Sequence, residues 1–464
     1  MPPTPPPAPE PGETRVRDRG DACPGALRLH PADDGRLARL RLPAGRLTPR
    51  QAGVLADAAE RLGDGRISVT SRGNAELRGL GEGCGTELAA LLAGAGLLPS
   101  PRHERIRNIV ASPAAGLDGL GTADVQLWAR ELDALLCAEP WTAALSGRFL
   151  FALDDGRGDM TGLGADVTLV AVPDAPDRGA LLWSGGRALR VGGTDAARAA
   201  VAAAGAFLAA ARAAGTGAWR VAELPPGHAP DLAGALARAG IPAEPVPAPA
   251  LPHGAPPAPG PLGERGLYVL APLGRLTAAQ LRALADGADE VRLTPWRGAV
   301  VVTGQAADGT TDRAAGRLPV LAGLAGLGLI TRPDSPWAGV TACTGRPGCA
   351  KSLADVRGDA TAGTAPEPGP GETSGFGSGP DEAPGTGEAS GPGDEARAGS
   401  PGRLLPVHFS GCERRCGHPR GEWVDVLATG DGAYRVNGAP TPRTSLPGAV
   451  ATARTTTTPT TTTR

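Results

Sequence analysis

Apolar and charged positions alternate in residues 38–42, Ala-Arg-Leu-Arg-Leu, which predicts a β-strand with one buried face. After a turn, Thr48, Pro49 and Gln51 form a helix start signal: a threonine cap, a proline in the first turn and a glutamine that completes a capping box. Apolar residues then recur at helical spacing as far as Leu62. The pattern therefore predicts a strand followed by an amphipathic helix.

The same pattern occurs a second time at an offset of 229 residues. Residues 272–280, Pro-Leu-Gly-Arg-Leu-Thr-Ala-Ala-Gln, repeat residues 43–51, Pro-Ala-Gly-Arg-Leu-Thr-Pro-Arg-Gln. A further strand is predicted after each helix, at residues 67–69 in the first copy and 291–294 in the second. We interpret the repeat as an ancient duplication with pseudo-twofold architecture.

The segments that follow the two copies are also related. Residues 107–113, Arg-Asn-Ile-Val-Ala-Ser-Pro, occupy the place that residues 340–343, Val-Thr-Ala-Cys, occupy after the second copy. Residues 188–192 likewise echo residues 433–437. The two halves therefore differ in their chemistry, since the first offers arginine where the second offers cysteine.

Four cysteines of the second half form two closely spaced pairs. Five residues separate Cys343 from Cys349, and three separate Cys412 from Cys416. A single zinc ion usually takes narrower pairs because both sulfurs must converge on one ion, whereas a cubane holds its thiolates at separate corners. The spacing favours a [4Fe–4S] cluster, with a four-cysteine zinc site or unrelated buried thiols as alternatives.

Length and charge limit the classes of protein. A chain of 464 residues is long enough for two to four domains, and a net charge of −2 gives no overall field for nucleic acid or an anionic membrane. Seven cysteines are an odd number and four of them form metal-type pairs, which argues against disulfides and indicates a reducing, cytoplasmic compartment. Cys23, Cys84 and Cys137 have no partner spacing and are predicted to be free thiols. Residues 196–214 are alanine-rich and contain two arginines, which favours a core helix over a membrane span.

Three segments lack the apolar periodicity with which a chain buries a face, and they are predicted to be disordered. They are residues 1–18, residues 451–464 and an insertion at residues 358–402 between the two cysteine pairs. The proline-rich N-terminus also has no apolar run, so no signal peptide is predicted. Because loop-closure entropy rises slowly with length, the insertion is compatible with one shared site for all four cysteines.

Several longer motifs carry a family resemblance. They are residues 70–79, residues 107–110, residues 147–156, residues 292–298 and the two cysteine pairs. With these motifs the chain resembles the sirohaem-dependent sulfite and nitrite reductase superfamily, and within it the precorrin-3B synthase branch. The resemblance covers about residues 20 to 440 apart from the insertion.

The resemblance implies an α+β fold, the duplicated nitrite/sulfite reductase fold. Two ferredoxin-like half-domains pair with each other in that fold, and two α/β domains bind the cofactors. The implied boundaries are 19–98 for the first half-domain, 99–250 for the first reductase-like domain on the tetrapyrrole side, 260–332 for the second half-domain and 333–450 for the second reductase-like domain with the cluster.

The resemblance also implies a reaction. Members of the branch are monooxygenases that convert precorrin-3A to precorrin-3B, by hydroxylation with O2 and γ-lactone formation, in aerobic cobalamin biosynthesis. The implied cofactors are a [4Fe–4S] cluster on the four cysteines and a mononuclear non-haem iron, and the electron donor is unidentified. The alternative is an assimilatory sulfite or nitrite reductase that binds sirohaem.

One departure bears on the choice between these reactions. Sulfite reductases have Lys-Phe-Lys where this chain has Arg148, Phe149 and Leu150. Reduction of a doubly charged oxyanion needs concentrated positive charge, so the loss of one cation weakens the case for it. Oxygen chemistry tolerates the loss, since O2 is neutral.

A precorrin is a flat apolar macrocycle with a rim of carboxylates, and arginine presents paired donors that match a carboxylate. By motif position, Arg72 and Arg107 are the first candidates for substrate binding. Arg78, Asn108 and Arg148 are the next candidates. A solvated surface role is the competing interpretation for any one arginine in so arginine-rich a chain.

The ligands of a non-haem iron are not evident, because the six histidines form no spaced pair. His408 and His418 flank the second cysteine pair, and a structural hydrogen-bonding role is favoured for either. Asp155 and Asp159 are further candidate ligands, although a turn with capping aspartates explains them equally well.

Overall fold

The computed structural model describes residue 21 and residues 24–172, 179–247, 251–304, 313–363, 404–419, 421–430 and 432–455. Predictions about residues 1–18, Cys23, residues 364–402 and residues 456–464 lie outside the described residues. The chain divides into two compact units, Met1–Asp334 and Ser335–Arg464.

The first unit begins with a small half-domain in which a sheet packs against helices. Its elements are β1 (His30–Ala32), β2 (Gly35–Leu40), β3 (Arg46–Leu47), α1 (Pro49–Leu62), β4 (Arg66–Val69), β5 (Ala75–Leu80) and α2 (Gly85–Gly94). The predicted capping box is confirmed at the start of α1. Thr48 Oγ1 accepts a hydrogen bond from the Gln51 N–H at 3.2 Å, and Gln51 Oε1 accepts one from the Thr48 N–H at 3.0 Å.

A larger α/β domain follows in the same unit. Its elements are β6 (Ile109–Ala111), α3 (Val125–Ala138), β7 (Phe151–Asp154), β8 (Val167–Ala171), β9 (Ala180–Ser184), β10 (Arg187–Val191), α4 (Ala196–Ala214), α5 (Leu232–Arg238) and β11 (Ala243–Val246). The sheet order is β11-β10-β9-β8-β7-β6. Strands β6, β7 and β8 are parallel, and the remaining neighbours are antiparallel.

Helix α4 is long and apolar enough to cross a membrane by length and composition alone. However, 56% of its most apolar window is buried inside the protein. Its alanines and Phe207 pack in the core of the α/β domain, where Phe207 contacts Phe149 with ring centroids 4.9 Å apart. The helix therefore has the packing of a core helix, as its sequence predicts.

The first unit ends with a second half-domain that repeats the first. Its elements are β12 (Gly260–Leu262), β13 (Gly266–Leu270), β14 (Arg275–Thr277), α6 (Ala278–Ala285), β15 (Glu290–Leu293), β16 (Gly298–Val302) and α7 (Arg313–Gly326). The second capping box is confirmed as well. Thr277 Oγ1 accepts from the Gln280 N–H at 3.1 Å, and Gln280 Oε1 accepts from the Thr277 N–H at 2.8 Å.

The two half-domains exchange one strand each. The first sheet has the order β1-β2-β5-β4-β14, and the second has the order β12-β13-β16-β15-β3. In register, Arg275 pairs with Ser68 and Leu47 pairs with Val291, all antiparallel. Each sheet therefore takes its outer strand from the other copy, which confirms the predicted pairing of the duplicated half-domains.

The turn before each exchanged strand requires glycine. Gly45 and Gly274 are equivalent in the two copies and have φ angles of +69° and +72°, in the left-handed region that favours glycine. A Cβ atom on Gly45 would lie 1.9 Å from the backbone oxygen of Leu293, which lies in the second half-domain. The repeated Pro-x-Gly sequence is thus a backbone requirement of the exchange.

The second unit contains one sheet and two helices in its described part. Its elements are β17 (Val340–Ala342), α8 (Val356–Gly363), β18 (Val407–Ser410), β19 (Val424–Gly430), β20 (Ala433–Val436), β21 (Ala439–Pro442) and α9 (Leu446–Thr455). The order is β17-β18-β19-β20-β21, with the first three strands parallel and the rest antiparallel. This is the topology of β6 to β10, so the duplication extends over the α/β domains.

The topology corrects one detail of the repeat. Residues 188–192 begin within β10, whereas residues 433–437 begin with β20, whose topological counterpart is β9. The interpretation of these two segments as equivalent was wrong by one strand. Short alternating segments recur on neighbouring antiparallel strands, so their sequence pattern does not identify the strand.

Two segments predicted to be disordered contain helix at one end. Residues 358–363 belong to α8, and residues 451–455 belong to α9. Buried polar side chains hold both helices: Asp359 accepts a hydrogen bond from the Tyr434 hydroxyl, and the Arg454 guanidinium donates to the carbonyl oxygens of Leu405 and Pro336. The prediction of disorder considered only apolar residues, so it missed these polar contacts of Asp359 and Arg454.

Removing either threonine cap is expected to destabilise the protein modestly. Thr48→Ala and Thr277→Ala each delete the oxygen that accepts a helix N–H, so each should lower the free energy of unfolding by about 1 kcal/mol. Chemical denaturation of the single and double variants measures the loss. Equal losses in the two singles would agree with equivalent caps, and no loss in either would contradict this account of the helix starts.

Candidate functional site

The four paired cysteines lie in the second unit, near the ends of parallel strands. Cys343 follows β17 directly, and Cys412 follows β18 after one glycine. Because neighbouring parallel strands end at the same edge of a sheet, the two cysteine loops start side by side. A hydrogen bond of 2.9 Å from the Cys343 N–H to the Phe409 oxygen fixes their register.

The sulfur atoms of the two pairs are electrostatic neighbours. Burial raises the pKa of the Cys416 thiol, and the thiols of Cys412, Cys343 and Cys349 raise it as well, whereas Arg414 lowers it. Thiolates raise each other's pKa only at short range, because their charges repel. These electrostatic contacts agree with a shared metal centre on the two pairs, which stays a prediction.

The loops around these sulfurs are closely packed. The Gly411 N–H donates to the sulfur of Cys343 at 3.2 Å. A Cβ atom on Gly411 would lie 1.9 Å from the Ser352 hydroxyl, and one on Gly345 would lie 2.9 Å from the Val356 side chain. Gly411 thus allows the second cysteine loop to lie against Ser352, just after the first pair, and Gly345 allows the first loop to lie against the start of α8.

His408 forms a hydrogen bond to the backbone of the second cysteine pair. Its ring is completely buried, with Nδ1 hydrogen-bonded to the Thr341 hydroxyl at 2.9 Å and Nε2 to the carbonyl oxygen of Cys416 at 3.2 Å. His418 stacks on Trp423 with ring centroids 5.2 Å apart. Both contacts agree with the structural role that the sequence favours for these histidines.

The candidate Arg107 lies in the first unit, buried and ion-paired. Its Nε and Nη2 atoms donate to the two carboxylate oxygens of Asp133 at 2.6 and 2.7 Å, and its side chain is 6% exposed. A bidentate pair of this kind occupies the donors that a substrate carboxylate would use. The geometry therefore favours a structural role for Arg107.

Arg78 and Asn108 are also engaged within the protein. Arg78 donates to both carboxylate oxygens of Asp34 at 2.9 Å. Asn108 is completely buried; its amide donates to the Gly147 carbonyl at 2.8 Å and accepts from the Asn74 amide at 2.8 Å. Asn108 thus connects the turn after β4 to the segment before β7.

The remaining candidates lie on the two segments that Asn108 connects. Arg72 is half-exposed in the turn between β4 and β5, and Arg148 is exposed just before β7. The guanidinium of Arg148 lies 4.9 Å from the centre of the Trp219 ring, a cation–π distance. Of the five polar candidates, Arg72 and Arg148 are the two residues that are not buried.

A group of buried carboxylates in the first unit was only partly anticipated from the sequence. One oxygen from each of Asp154, Asp155 and Asp159 lies within 4.8 Å of the others. Asp154 was missed, although it belongs to the same Asp-Asp-Gly run. The group contains no histidine, so it does not have the two-histidine, one-carboxylate composition of oxygenase iron sites.

Comparisons with known proteins agree with this architecture. The nitrite/sulfite reductase ferredoxin-like half domain matches residues 30–94. A precorrin-3B synthase of Sinorhizobium sp is 33% identical over 155 residues, which cover 33% of this chain and 33% of that protein. A ferredoxin–nitrite reductase of Synechococcus elongatus is 32% identical over 166 residues, which cover 34% of this chain and 32% of that protein.

The matches thus span about one third of the length of these curated relatives. Among solved structures, the NirA protein of Mycobacterium tuberculosis has a TM-score of 0.55 and 18% identity, over 89% of this chain and 79% of that one. This likeness shows the fold, and the match of residues 30–94 to the half domain agrees with it. The chain therefore carries the ferredoxin-like half domain of nitrite and sulfite reductases and has the fold of that superfamily.

Proposed function

We propose that the chain is an iron–sulfur oxidoreductase of the precorrin-3B synthase type, a monooxygenase that converts precorrin-3A to precorrin-3B with O2. The observation that carries the choice of reaction is the burial of Leu150. This residue stands where the sulfite reductases have the second lysine of Lys-Phe-Lys.

Leu150 is 2% exposed and packs in an apolar cluster with Val110, Ala152 and Met160. Its side chain thus lies among other apolar side chains, away from solvent. The stretch before β7 consequently offers one exposed cation, Arg148, where an oxyanion reductase would offer two. One cation suits a carboxylate on the rim of a macrocycle better than a small doubly charged oxyanion.

Under this proposal, Arg72 and Arg148 bind carboxylates on the rim of the precorrin. Arg72 is half-exposed and Arg148 is exposed, and Asn108 holds their two segments together through hydrogen bonds to Asn74 and Gly147. Each charge-assisted hydrogen bond to a carboxylate contributes about 1.5–3 kcal/mol, enough to orient the ring. Arg78, Arg107 and Asn108 act in the proposal as positioning residues.

The donor set of the second unit fits a [4Fe–4S] cluster. Cys343, Cys349, Cys412 and Cys416 would hold it; the two pairs follow the ends of neighbouring parallel strands, and thiols of both pairs raise the pKa of Cys416. The cluster supplies one-electron transfer from a donor of unidentified kind. The Gly411 N–H stabilises negative charge on the Cys343 sulfur, and His408 holds the Cys416 backbone in place.

A second candidate function is reduction of nitrite or sulfite with bound sirohaem. The similarity to the ferredoxin–nitrite reductase of Synechococcus elongatus favours it, because that match is as long as the one to precorrin-3B synthase. In that case the purified protein would carry sirohaem with its characteristic red-shifted absorption. The two candidates predict different pigments and different substrates.

Incubation with precorrin-3A, a reductant and ¹⁸O2 tests the proposal. The protein with its reconstituted cluster should give a product that has gained one labelled oxygen atom, detected by mass spectrometry. Arg148→Ala should raise the KM for precorrin-3A without loss of iron, and Arg190→Ala, which alters an exposed arginine on β10, should change neither. A product without label, or nitrite reduction by a sirohaem-loaded protein, would refute the proposal.

A further inference from the structure

The buried carboxylates of the first unit lie at a ligand-binding edge of the sheet. Asp154 is the last residue of β7, and Ser112 directly follows the neighbouring parallel strand β6. In open α/β sheets, ligands bind beyond the carboxyl ends of parallel strands. Ser112, Asp155 and Asp159 all lie at this edge, linked by hydrogen bonds of 2.6 Å from the Ser112 hydroxyl to Asp159 and 3.1 Å from the Asp155 N–H to Ser112.

Backbone groups of the loop after β7 hold the carboxylate of Asp154 in place. Backbone N–H groups of Gly156 and Gly158 donate to Asp154 Oδ1 at 2.9 and 2.8 Å, and the Met160 N–H donates to Oδ2 at 2.8 Å. These bonds orient the carboxylate without neutralising its charge. Asp154 Oδ2 keeps a lone pair for a further partner.

The carboxylate of Asp155 is held by Arg157, which also bonds to Asp118. Arg157 Nε donates to Asp155 Oδ1 at 2.8 Å, and Arg157 Nη2 donates to Asp155 Oδ2 at 2.7 Å. The same guanidinium also donates to both oxygens of Asp118, at 2.7 and 2.9 Å. One positive charge therefore makes direct hydrogen bonds to two carboxylates, Asp118 and Asp155.

The carboxylate of Asp159 has one oxygen without a hydrogen-bond partner in the described part of the chain. Asp159 is 5% exposed, and its Oδ2 atom is buried with no hydrogen-bond donor among the described residues. A buried carboxylate oxygen without a hydrogen-bond donor is destabilising, and a bound cation would supply the missing partner.

The duplication supplies an independent argument. Strands β6 and β7 correspond to β17 and β18 of the second unit, whose ends carry Cys343 and Cys412. The equivalent ends in the first unit carry Ser112 and the Asp154-Asp155 pair. The same edge of the same fold thus presents soft sulfur ligands in one copy and hard oxygen ligands in the other.

We propose that Asp154, Asp155 and Asp159 bind one hard divalent cation, Mg²⁺ or Mn²⁺. An all-oxygen set of carboxylates suits such ions, which complete their coordination with water. Binding brings positive charge to the unsatisfied Asp159 oxygen and balances the excess of carboxylates over the one arginine. This site consists of residues of the first unit alone and does not depend on the proposed reaction.

Titration with Mn²⁺ tests the site in the full chain with its cluster in place. Electron paramagnetic resonance of free Mn²⁺ should show one Mn²⁺ bound per chain. Asp159→Asn keeps the shape of the side chain and should weaken binding by about tenfold or more. Asp286→Asn, a charge change at an exposed position at the end of α6, should leave the affinity unchanged.

A second variant perturbs the site without removing a carboxylate. A Cβ atom on Gly121 would lie 2.2 Å from Asp155 Oδ2, so Gly121→Ala should displace Asp155 and also weaken Mn²⁺ binding. Saturating Mn²⁺ should raise the melting temperature of the parent protein, and should raise it less in either variant. Absence of Mn²⁺ binding, or equal affinity in Asp159→Asn and the parent, would show a protonated carboxyl without a metal and overturn the proposal.

Discussion

Replacement of Cys416 by serine is expected to empty or degrade the cluster. A serine hydroxyl is a hard and poorly ionised ligand, so it does not substitute for a thiolate on iron. The parent protein should contain about four iron and four sulfide per chain after anaerobic purification. Iron and sulfide analysis, with the visible absorption spectrum, should show most of both lost from Cys416→Ser.

Matched controls come from the cysteines outside the pairs. Cys84 lies at the start of α2, and Cys137 lies in the last turn of α3, so Cys84→Ser and Cys137→Ser should keep the full iron content. Cys343→Ser, Cys349→Ser and Cys412→Ser should behave like Cys416→Ser. One bound zinc in the parent protein, or full iron in Cys416→Ser, would contradict the ligand assignment.

Replacement of Arg107 by alanine is expected to destabilise the fold rather than only weaken substrate binding. The variant leaves the Asp133 carboxylate, whose side chain is 20% exposed, without its bidentate partner. Removing one member of a buried ion pair costs about 3 kcal/mol or more, because the other charge stays buried. Chemical denaturation should show a loss of this size, together with a lower melting temperature.

A double variant separates the ion pair from a substrate-binding role. Arg107→Met combined with Asp133→Leu replaces both charges by apolar side chains, and should recover most of the stability lost by Arg107→Ala. Asp133→Asn alone should be destabilising as well. If Arg107→Ala kept its stability and raised only the KM for a tetrapyrrole, the carboxylate of a substrate would be the true partner of Arg107.

The local signals of this chain could be predicted because they depend on neighbours in sequence. Thr48 and Gln51 are three residues apart, as are Thr277 and Gln280, so both helix starts were evident and are confirmed. The cysteine pairs were evident for the same reason. The two motifs are 63 residues apart, at Cys349 and Cys412, and the structure places both after the ends of neighbouring parallel strands.

The partners that decide the roles of polar residues could not be predicted, because they are distant in sequence. Arg107 meets Asp133 26 residues away, and Arg78 meets Asp34 44 residues away. No local pattern distinguishes such an arginine from one that faces a ligand. The exchanged strands were missed for another reason: β3 has two residues, too few for an alternation to be visible.

The exchange of β3 and β14 indicates what the protein was before its gene duplicated. A chain with only one half-domain would leave β4 without its outer neighbour and β3 without a sheet. Two identical chains would satisfy both by giving β3 to each other, so the expected ancestor is a symmetric, strand-swapped homodimer. Fusion of the two genes joined both copies in one chain. Neither copy then had to pair with an identical one, so their sequences could diverge. One copy was then free to acquire cysteines while the other acquired carboxylates and arginines.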